Sequence, residues 1–219
     1  KTIAGFAFLM AVMALALFIT AGTLGFWQAQ IYLVDFALCT ILITVYLIKY
    51  DRELLAGRVK AGPVAERQRT QQIIQSLASL SFIALFIVPG LDYRFGWSRV
   101  PSVLSLIADV FVALGFYLVF LVFRENSYTR ATIEVSVGQR VIASGPYSIV
   151  RHPMYAGASV LLIFTPIALG SWVAIPFALL LILVVVLRLL DEERFLSVNL
   201  EGYEEYCQKV RYHLIPFIW

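Results

Sequence analysis

The sequence predicts an all-α integral membrane protein, a polytopic helical bundle with about six spans. Apolar residues make up 61% of the 219-residue chain and charged residues only 14%, whereas soluble domains contain about 45–50% apolar residues. A spanning helix needs about 20 mostly apolar residues. Six apolar runs approach or reach this length, at 3–26, 31–48, 73–88, 103–123, 154–170 and 172–190. Five spans are the alternative, because only Ser171 separates the last two runs, which we expect to form a tight hairpin.

Each run can be assigned in chain order. The first is too long for a signal peptide, whose apolar region has about 7–15 residues, so we expect it to be a span. The third is short unless Gln71 and Gln72 lie in the interface. The fifth begins after Pro153, which disfavours helix at His152 and suits the first turn of the helix that follows.

The basic residues predict the orientation of the chain. Fifteen of the 17 lysines and arginines lie on one side of the predicted spans, and only Arg94 and Arg99 lie opposite. Cytoplasmic loops carry the excess of basic residues, so we expect both termini and the segment 145–157 in the cytoplasm. The net charge of +3 is then explained by topology and lipid contact. No nucleic-acid-binding signature is present, and we expect no nucleic-acid partner.

The sequence lacks the motifs that metal binding and nucleotide binding require. Cys39 and Cys207, with two histidines, give no metal-ligand spacing, so we expect no metal site. No dinucleotide-binding or phosphate-binding glycine loop occurs. Asp35 and Asp109 are carboxylates inside predicted spans. Such residues suggest function. A hydrogen-bonded carboxylate near a wet helix end is the other explanation, which we favour for Asp35 and which explains Asp109 equally well; both residues lie toward the outer leaflet.

The segment 145–157 is the most informative stretch, with the sequence GPYSIVRHPMYAG. Restricted and polar residues at a membrane boundary suggest a site. Arg151 and His152 directly precede the predicted fifth span, where helix N–H groups are unpaired and attract anions. Tyr155 and Gly157 lie in the first turn, and Gly157 permits close approach of a ligand or helix.

The far end of the hairpin carries a second polar cluster. Arg188 and Glu192 are four residues apart and share a helix face, and Glu193 follows. A hairpin brings its two ends together, so we expect this cluster and the Arg151-His152 pair at one cytoplasmic mouth. Beyond it, apolar residues recur at a helical period and predict an amphipathic tail that covers the mouth. These residues are Leu196, Leu200, Tyr203, Tyr206 and Val210.

Three segments together resemble the isoprenylcysteine carboxyl methyltransferase family and its phospholipid methyltransferase relatives. They are GPYSIVRHPMYAG, RLLDEERFL and GYEEYCQKVRYHLIPFIW, in that order. The resemblance covers roughly residues 124–219, so we expect a methyltransferase core there and four spans at 1–123 that shape the substrate side. The segment GLDYRFGWS at 90–98 resembles bacterial members, which implies a bacterial inner-membrane protein.

The resemblance implies S-adenosylmethionine as cofactor, bound on the cytoplasmic side. It also implies a lipidic or prenylated acceptor, methylated on a carboxylate. Arg188 and Arg151 would position the acceptor, with Glu192 as a further catalytic candidate. The cofactor-binding residues carried over from the family are Gly145, Tyr147, His152, Pro153, Tyr155, Gly157, Glu192 and Glu193.

Three alternatives stay open. A phospholipid amine is one possible acceptor. A second possibility is an NADPH-dependent sterol-type membrane reductase, since such proteins end in a similar tyrosine-rich tail. The third is a non-catalytic membrane scaffold with the same fold. Loss of the motif residues would support a scaffold, but all of them are present in this sequence.

Overall fold

A computed structural model of the chain describes residues 2–59, 69–129, 135 and 138–219. Within these residues the secondary structure is eight α-helices and one short 3-10 helix, without strands, which confirms the predicted all-α class. The helices are α1 (Thr2–Ala21), α2 (Trp27–Tyr50), α3 (Arg52–Val59), α4 (Arg69–Phe95), α5 (Ser102–Glu125), the 3-10 helix (Gly145–Ser148), α6 (Pro153–Ala168), α7 (Ile175–Asn199) and α8 (Tyr203–Lys209).

Four of the described helices are long and apolar enough to cross a membrane. They are α1, α2, α5 and the Ser76–Phe95 part of α4. Helix α6 has 16 residues, about 24 Å at 1.5 Å per residue, which is less than the roughly 30 Å of a hydrocarbon core. Helix α7 begins apolar and ends charged. The last two predicted spans are therefore a hairpin beside four longer spans, and its full passage through the bilayer stays a prediction.

Two glycines allow α5 and α6 to cross closely. A Cβ atom on Gly115 would lie 2.8 Å from Leu161 Cγ and 3.0 Å from the carbonyl oxygen of Gly157. A Cβ on Gly157 would lie 3.1 Å from the carbonyl oxygen of Gly115. Small residues of this kind let membrane helices approach backbone to backbone. The crossing holds the first turns of α6 beside the C-terminal half of α5.

A buried carboxylate joins the two turns at the opposite end of the bundle. Asp92 is 1% exposed and accepts hydrogen bonds from the Ser98 backbone N–H and hydroxyl, at 2.7 and 2.5 Å. The hydroxyl of Ser171, between α6 and α7, donates to the same carboxylate. The Trp172 indole N–H donates to the Arg99 carbonyl at 3.1 Å. The α4–α5 and α6–α7 turns are thereby fixed to each other.

The C-terminal apolar stripe is divided between two helices. Leu196 belongs to α7, which ends at Asn199, and Gly202, with a φ of +81°, directly precedes α8. A positive φ is easy for glycine and strained for other residues. The stripe residues still pack in one cluster with Tyr147. The sequence periodicity thus found the buried face but missed the turn within it.

The residues after α8 pair with the segment before α6 through the backbone. The Arg151 N–H donates to the Tyr212 carbonyl at 2.9 Å, and the His152 N–H donates to the His213 carbonyl at 3.0 Å. The sequence separation across each pair is about 60 residues. The tail therefore lies directly on the motif that precedes α6.

Candidate active site

The N-terminal end of α6 and the C-terminal part of α7 line one cavity. It encloses about 820 Å³ of empty space, including the part open to solvent. Most of the predicted site residues lie in its wall, namely Tyr147, Arg151, His152, Pro153, Tyr155, Arg188 and Glu192. The expected convergence of the two hairpin ends is present.

Glu193 is the centre of a charged cluster behind this wall. One carboxylate oxygen lies 3.1 Å from His152 Nε2 and 3.3 Å from Arg151 Nη1, and the other lies 3.0 Å from His213 Nε2. Burial tends to raise the pKa of Glu193, but the His152 hydrogen bond and the charges of His152, His213 and Arg151 lower it below its ordinary value. Glu193 is therefore ionised at neutral pH, as a paired carboxylate should be.

The hydrogen bonds around Glu193 fix the proton positions on the two rings. A carboxylate only accepts, so the Nε2 atom of His152 must carry a proton. His213 Nε2 also lies 3.3 Å from Arg151 Nη1, but arginine only donates. The shorter contact to Glu193 places the proton on His213 Nε2, and the contact with Arg151 is then not a hydrogen bond.

Arg151 is held mainly by the C-terminal tail. Its Nε donates to the Val210 carbonyl at 2.7 Å and its Nη2 to the Cys207 carbonyl at 2.9 Å. With the Glu193 contact, three of its nitrogens are engaged within the protein. Arg151 thus connects the segment before α6 to the C-terminal tail, which its position in the sequence did not reveal.

Glu192 lies on the cavity side of the cluster, apart from Glu193. Its carboxylate accepts a hydrogen bond from the Tyr155 hydroxyl, and Arg188 also interacts with that hydroxyl. Arg188 is only 9% exposed although it is charged. Arg58 of α3, half-buried, adds a second guanidinium whose charge interacts with Arg188 and Glu192. The inner wall therefore carries the cation Arg188 and the anion Glu192, and Arg58 interacts with both from outside the lining residues.

Three tyrosines form the remaining polar wall. The Tyr147 hydroxyl accepts from Asn126 Nδ2 at 3.0 Å, and the Tyr206 hydroxyl donates to the Tyr147 carbonyl at 2.7 Å. Burial raises the pKa of Tyr147, Tyr203 and Tyr206, so all three stay neutral. The buried Tyr203 hydroxyl has no well-oriented hydrogen-bond partner among the described residues, although the weakly polar Cys207 thiol is near it.

Two of the predicted glycines lie away from the cavity wall. Gly145 has a φ of +55° and faces the Glu125 side chain, where a Cβ would lie 2.9 Å from a carboxylate oxygen. Gly157 contacts α5 at the close helix crossing. Both residues position the elements that carry the site, and their role as cofactor-binding residues stays a prediction.

Sequence reasoning missed Arg58, Asn126 and His213. Arg58 stands in a basic loop in the sequence, where nothing distinguishes it from its neighbours, and only the fold of α3 brings its charge close enough to interact with Arg188 and Glu192. His213 is one of only two histidines in the sequence, and this rarity could have pointed to it as a candidate site residue. Asp35 and Asp109 are not among the residues that line the cavity.

Comparison with known proteins agrees with the resemblance in its broad form. Residues 103–201 match the phospholipid methyltransferase family. A curated relative, a Delta(14)-sterol reductase from Mus musculus, is 28% identical over 91 residues. That alignment covers 40% of this chain and only 22% of the mouse protein.

The matched family region runs from α5 to the turn before α8 and includes both hairpin ends. It supports a membrane methyltransferase, whereas the specific assignment to isoprenylcysteine carboxyl methyltransferases stays a prediction. The reductase similarity is partial and weak. Four apolar helices of spanning length and the membrane methyltransferase family together support an integral membrane protein.

Proposed function

We propose that this chain is an S-adenosylmethionine-dependent methyltransferase that methylates a carboxylate on a lipidic or prenylated acceptor. The observation that carries the proposal is the single cavity lined by both ends of the α6–α7 hairpin, with His152 on one side and Glu192 on the other. The match of residues 103–201 to phospholipid methyltransferases supports the reaction class.

The residues of the cavity fit the chemistry of this cofactor. In the described structure no side chain caps the N-terminus of α6, and helix N-termini favour carboxylates. Glu192 offers an acceptor for ribose hydroxyls or for an ammonium group. The buried Tyr203 hydroxyl lacks a well-oriented partner, and apolar side chains such as Leu196 and Leu200 also line the wall.

The chemistry that S-adenosylmethionine supplies when bound is an activated methyl group on its sulfonium. The protein then has mainly to align the acceptor and exclude water. A carboxylate is nucleophilic at neutral pH without a base. Glu193 is a positioning residue in this proposal, because it orients His152 and fastens the tail. Arg188 holds the acceptor, since a buried arginine offers a planar pair of donors to a carboxylate.

Calorimetry of the purified protein with S-adenosylhomocysteine tests the cofactor assignment. His152→Ala and Glu192→Ala should each weaken binding by about 1–3 kcal/mol, typical of a lost buried or charged hydrogen bond. Glu201→Ala is the matched control, because Glu201 is exposed in the turn before α8. Unchanged affinity in both site variants would refute the assignment.

The acceptor is tested by mass spectrometry of lipid extracts incubated with the protein and isotopically labelled methyl donor. Label on a carboxyl ester supports the proposal. Label on a phospholipid amine would instead favour the amine acceptor of the matched family, and it would require a base such as His152 or Glu192 to remove a proton.

A second candidate function rests on the mouse relative. The partial similarity to a Delta(14)-sterol reductase favours a reductase that uses NADPH. Titration with NADPH separates the two functions directly. Tight binding of NADPH without binding of S-adenosylhomocysteine would replace the methyltransferase proposal.

A further inference from the structure

Residues 214–219 form a compact turn with an apolar tip. The Leu214 and Ile215 N–H groups donate to the Trp219 carbonyl at 3.0 and 2.9 Å, and the Trp219 N–H donates back to the Ile215 carbonyl at 3.1 Å. This C-terminal turn contains no charged side chain. Ile215 is nonetheless 51% exposed, Phe217 86% and Ile218 77%. The turn therefore presents an apolar surface to its surroundings.

Phe217 holds its exposed ring in a strained backbone conformation. Its φ of +66° is the one positive φ at a non-glycine residue in the part of the chain that the structure describes. Left-handed backbone is costly for a bulky side chain, and residues held in it often mark a functional site. The Tyr212 ring lies 5.4 Å from the Phe217 ring, centre to centre, but the side chain stays almost fully exposed. Packing among the described residues thus does not explain the outward ring.

Helix α7 carries an exposed apolar stripe that ends close to the turn. Its residues are spaced by four, four and three and share one helix face. They are Leu179, Leu183, Leu187 and Leu190. In a bundle with helices that can span a membrane, an exposed apolar face of this kind lies against lipid. Leu190 therefore marks the end of the lipid-facing part of α7.

Contacts beyond this stripe give the depth of the turn in the bilayer. Glu193 lies three residues past Leu190, about 4.5 Å along the helix axis, and contacts His213 at 3.0 Å. The Trp219 ring stacks on His213 with the ring centres 4.8 Å apart. A headgroup layer is about 5–8 Å thick on each side of the bilayer. The turn therefore begins and ends at headgroup depth.

The residues on either side of the tip suit the same location. Tryptophan and tyrosine are enriched at membrane–water interfaces, and Tyr212 and Trp219 flank the tip. Lys209 and Arg211 are exposed just before the turn, and anionic headgroups attract such basic residues. A basic flank, aromatic residues and an uncharged apolar tip are typical of a segment that lies in the bilayer interface.

We propose that the C-terminal turn is a bilayer-binding surface, whose tip at Ile215, Phe217 and Ile218 inserts among the headgroups and upper acyl chains of the lipids. The surface is separate from the cavity and does not depend on the proposed methyltransferase function. Its effect on the cavity is indirect, because the tail that ends in this turn supplies two carbonyls that hold Arg151. The bilayer is then a support for the tail that covers the segment before α6.

Lipid quenching of a fluorophore on the turn tests this surface. The full chain carries Cys39→Ser and Cys207→Ser, which remove both native thiols, and the fluorophore NBD is attached at Ile218→Cys. The protein is placed in nanodiscs of phosphatidylcholine and phosphatidylglycerol, with or without a phosphatidylcholine that carries a nitroxide quencher high on its acyl chain. Leu187→Cys is the matched label in the lipid-facing stripe. Glu201→Cys is the matched label in the exposed turn before α8.

We expect the Ile218 label to lose most of its emission in nanodiscs that contain the quencher, as the Leu187 label does, whereas the Glu201 label keeps its emission. A label at Ile215→Cys repeats the measurement at a second exposed position of the tip. Hydrogen exchange at the Arg151 and His152 amides, which pair with the tail, shows that the tail stays in place in the labelled proteins.

Phe217→Gly separates the ring from the turn that carries it. Glycine adopts a positive φ without strain, so this substitution keeps the backbone of the turn and removes the exposed aromatic side chain. Quenching of the Ile218 label should therefore decrease in Phe217→Gly, with protection of the Arg151 and His152 amides retained.

The inference is overturned by any of three results. Quenching of both tip labels no stronger than at Glu201 would place the turn in water. Blue-shifted emission without lipid quenching, seen only in nanodiscs that hold two copies of the chain, would assign the tip to a contact between copies. Unchanged quenching in Phe217→Gly would show that the ring does not contact lipid. None of these results depends on binding of S-adenosylhomocysteine, so the proposed function is tested separately.

Discussion

Replacement of Glu193 by glutamine probes the link between the hairpin and the tail. The substitution keeps the shape of the side chain and removes its charge. In the native protein the carboxylate contacts Arg151, His152 and His213 at 3.3, 3.1 and 3.0 Å. Glutamine keeps one oxygen, which can accept from Arg151 and His152. Its NH₂ group takes the place of the second oxygen, so a donor then faces the N–H donor of His213.

The expected loss follows from these contacts. One charge-assisted hydrogen bond contributes about 1.5–3 kcal/mol, and contacts to a single carboxylate do not add independently. The substitution removes the His213 contact fully and weakens the others, so we expect a loss of about 2 kcal/mol. For a chain of this size that corresponds to a thermal midpoint lower by about 4–8 °C.

Thermal unfolding of the detergent-solubilised protein measures this loss, with Glu201→Gln as an exposed control. Hydrogen exchange should show faster exchange at the Arg151 and His152 amides, which pair with the tail. The pH dependence gives a second signature. Because the pKa of Glu193 is lowered on folding, its stabilisation is present above the ordinary carboxyl pKa of about 4.3 and is lost as the pH falls through the lower folded value. An unchanged midpoint and unchanged exchange in Glu193→Gln would refute this account.

Three further predictions concern other parts of the molecule. Arg188→Lys should lower turnover by at least about tenfold with S-adenosylhomocysteine affinity retained, because lysine lacks the planar donor pair; normal turnover would reduce Arg188 to a membrane anchor. Gly115→Ala should destabilise the protein by about 1–3 kcal/mol in thermal unfolding, as overpacking does, since its Cβ would lie 2.8 Å from Leu161 Cγ; a neutral effect would contradict the close crossing. Asp109→Asn should leave turnover intact and the thermal midpoint equal or higher, because both oxygens of the buried carboxylate lack partners among the described residues; loss of turnover would assign Asp109 a function.

The sequence predicted the helical class and the meeting of the hairpin ends for definite physical reasons. Apolar runs must be helices in a membrane, because every backbone group there needs an internal partner. Pro153 marked the start of α6, which begins at that residue. Two helices joined by a short turn must return to the same side, so the positions of His152 and Glu192 followed from connectivity alone.

Contacts between segments distant in the sequence were not predictable in this way. The amphipathic period continues through Gly202, and only the backbone conformation shows that the helix breaks there. The two acidic neighbours Glu192 and Glu193 looked equivalent, yet successive residues on a helix point about 100° apart. Consequently Glu192 faces the cavity and Glu193 faces the tail. Arg58 could not be separated from other basic residues, because its role depends on where α3 packs.

The pairing of the tail with the segment before α6 also sets an order for biosynthesis. The hairpin and the four long spans can enter the membrane and pack as soon as they are made, since chains fold from the N-terminus during synthesis. Arg151 cannot reach its partners until Cys207 and Val210 have been translated, and its backbone pairing needs Tyr212 as well. The cavity lined by both hairpin ends is thus completed only after the helices that precede the tail have been made. A nascent chain that stalls before Cys207 would contain the four long helices and the hairpin, but Arg151 would lack its partners in the tail.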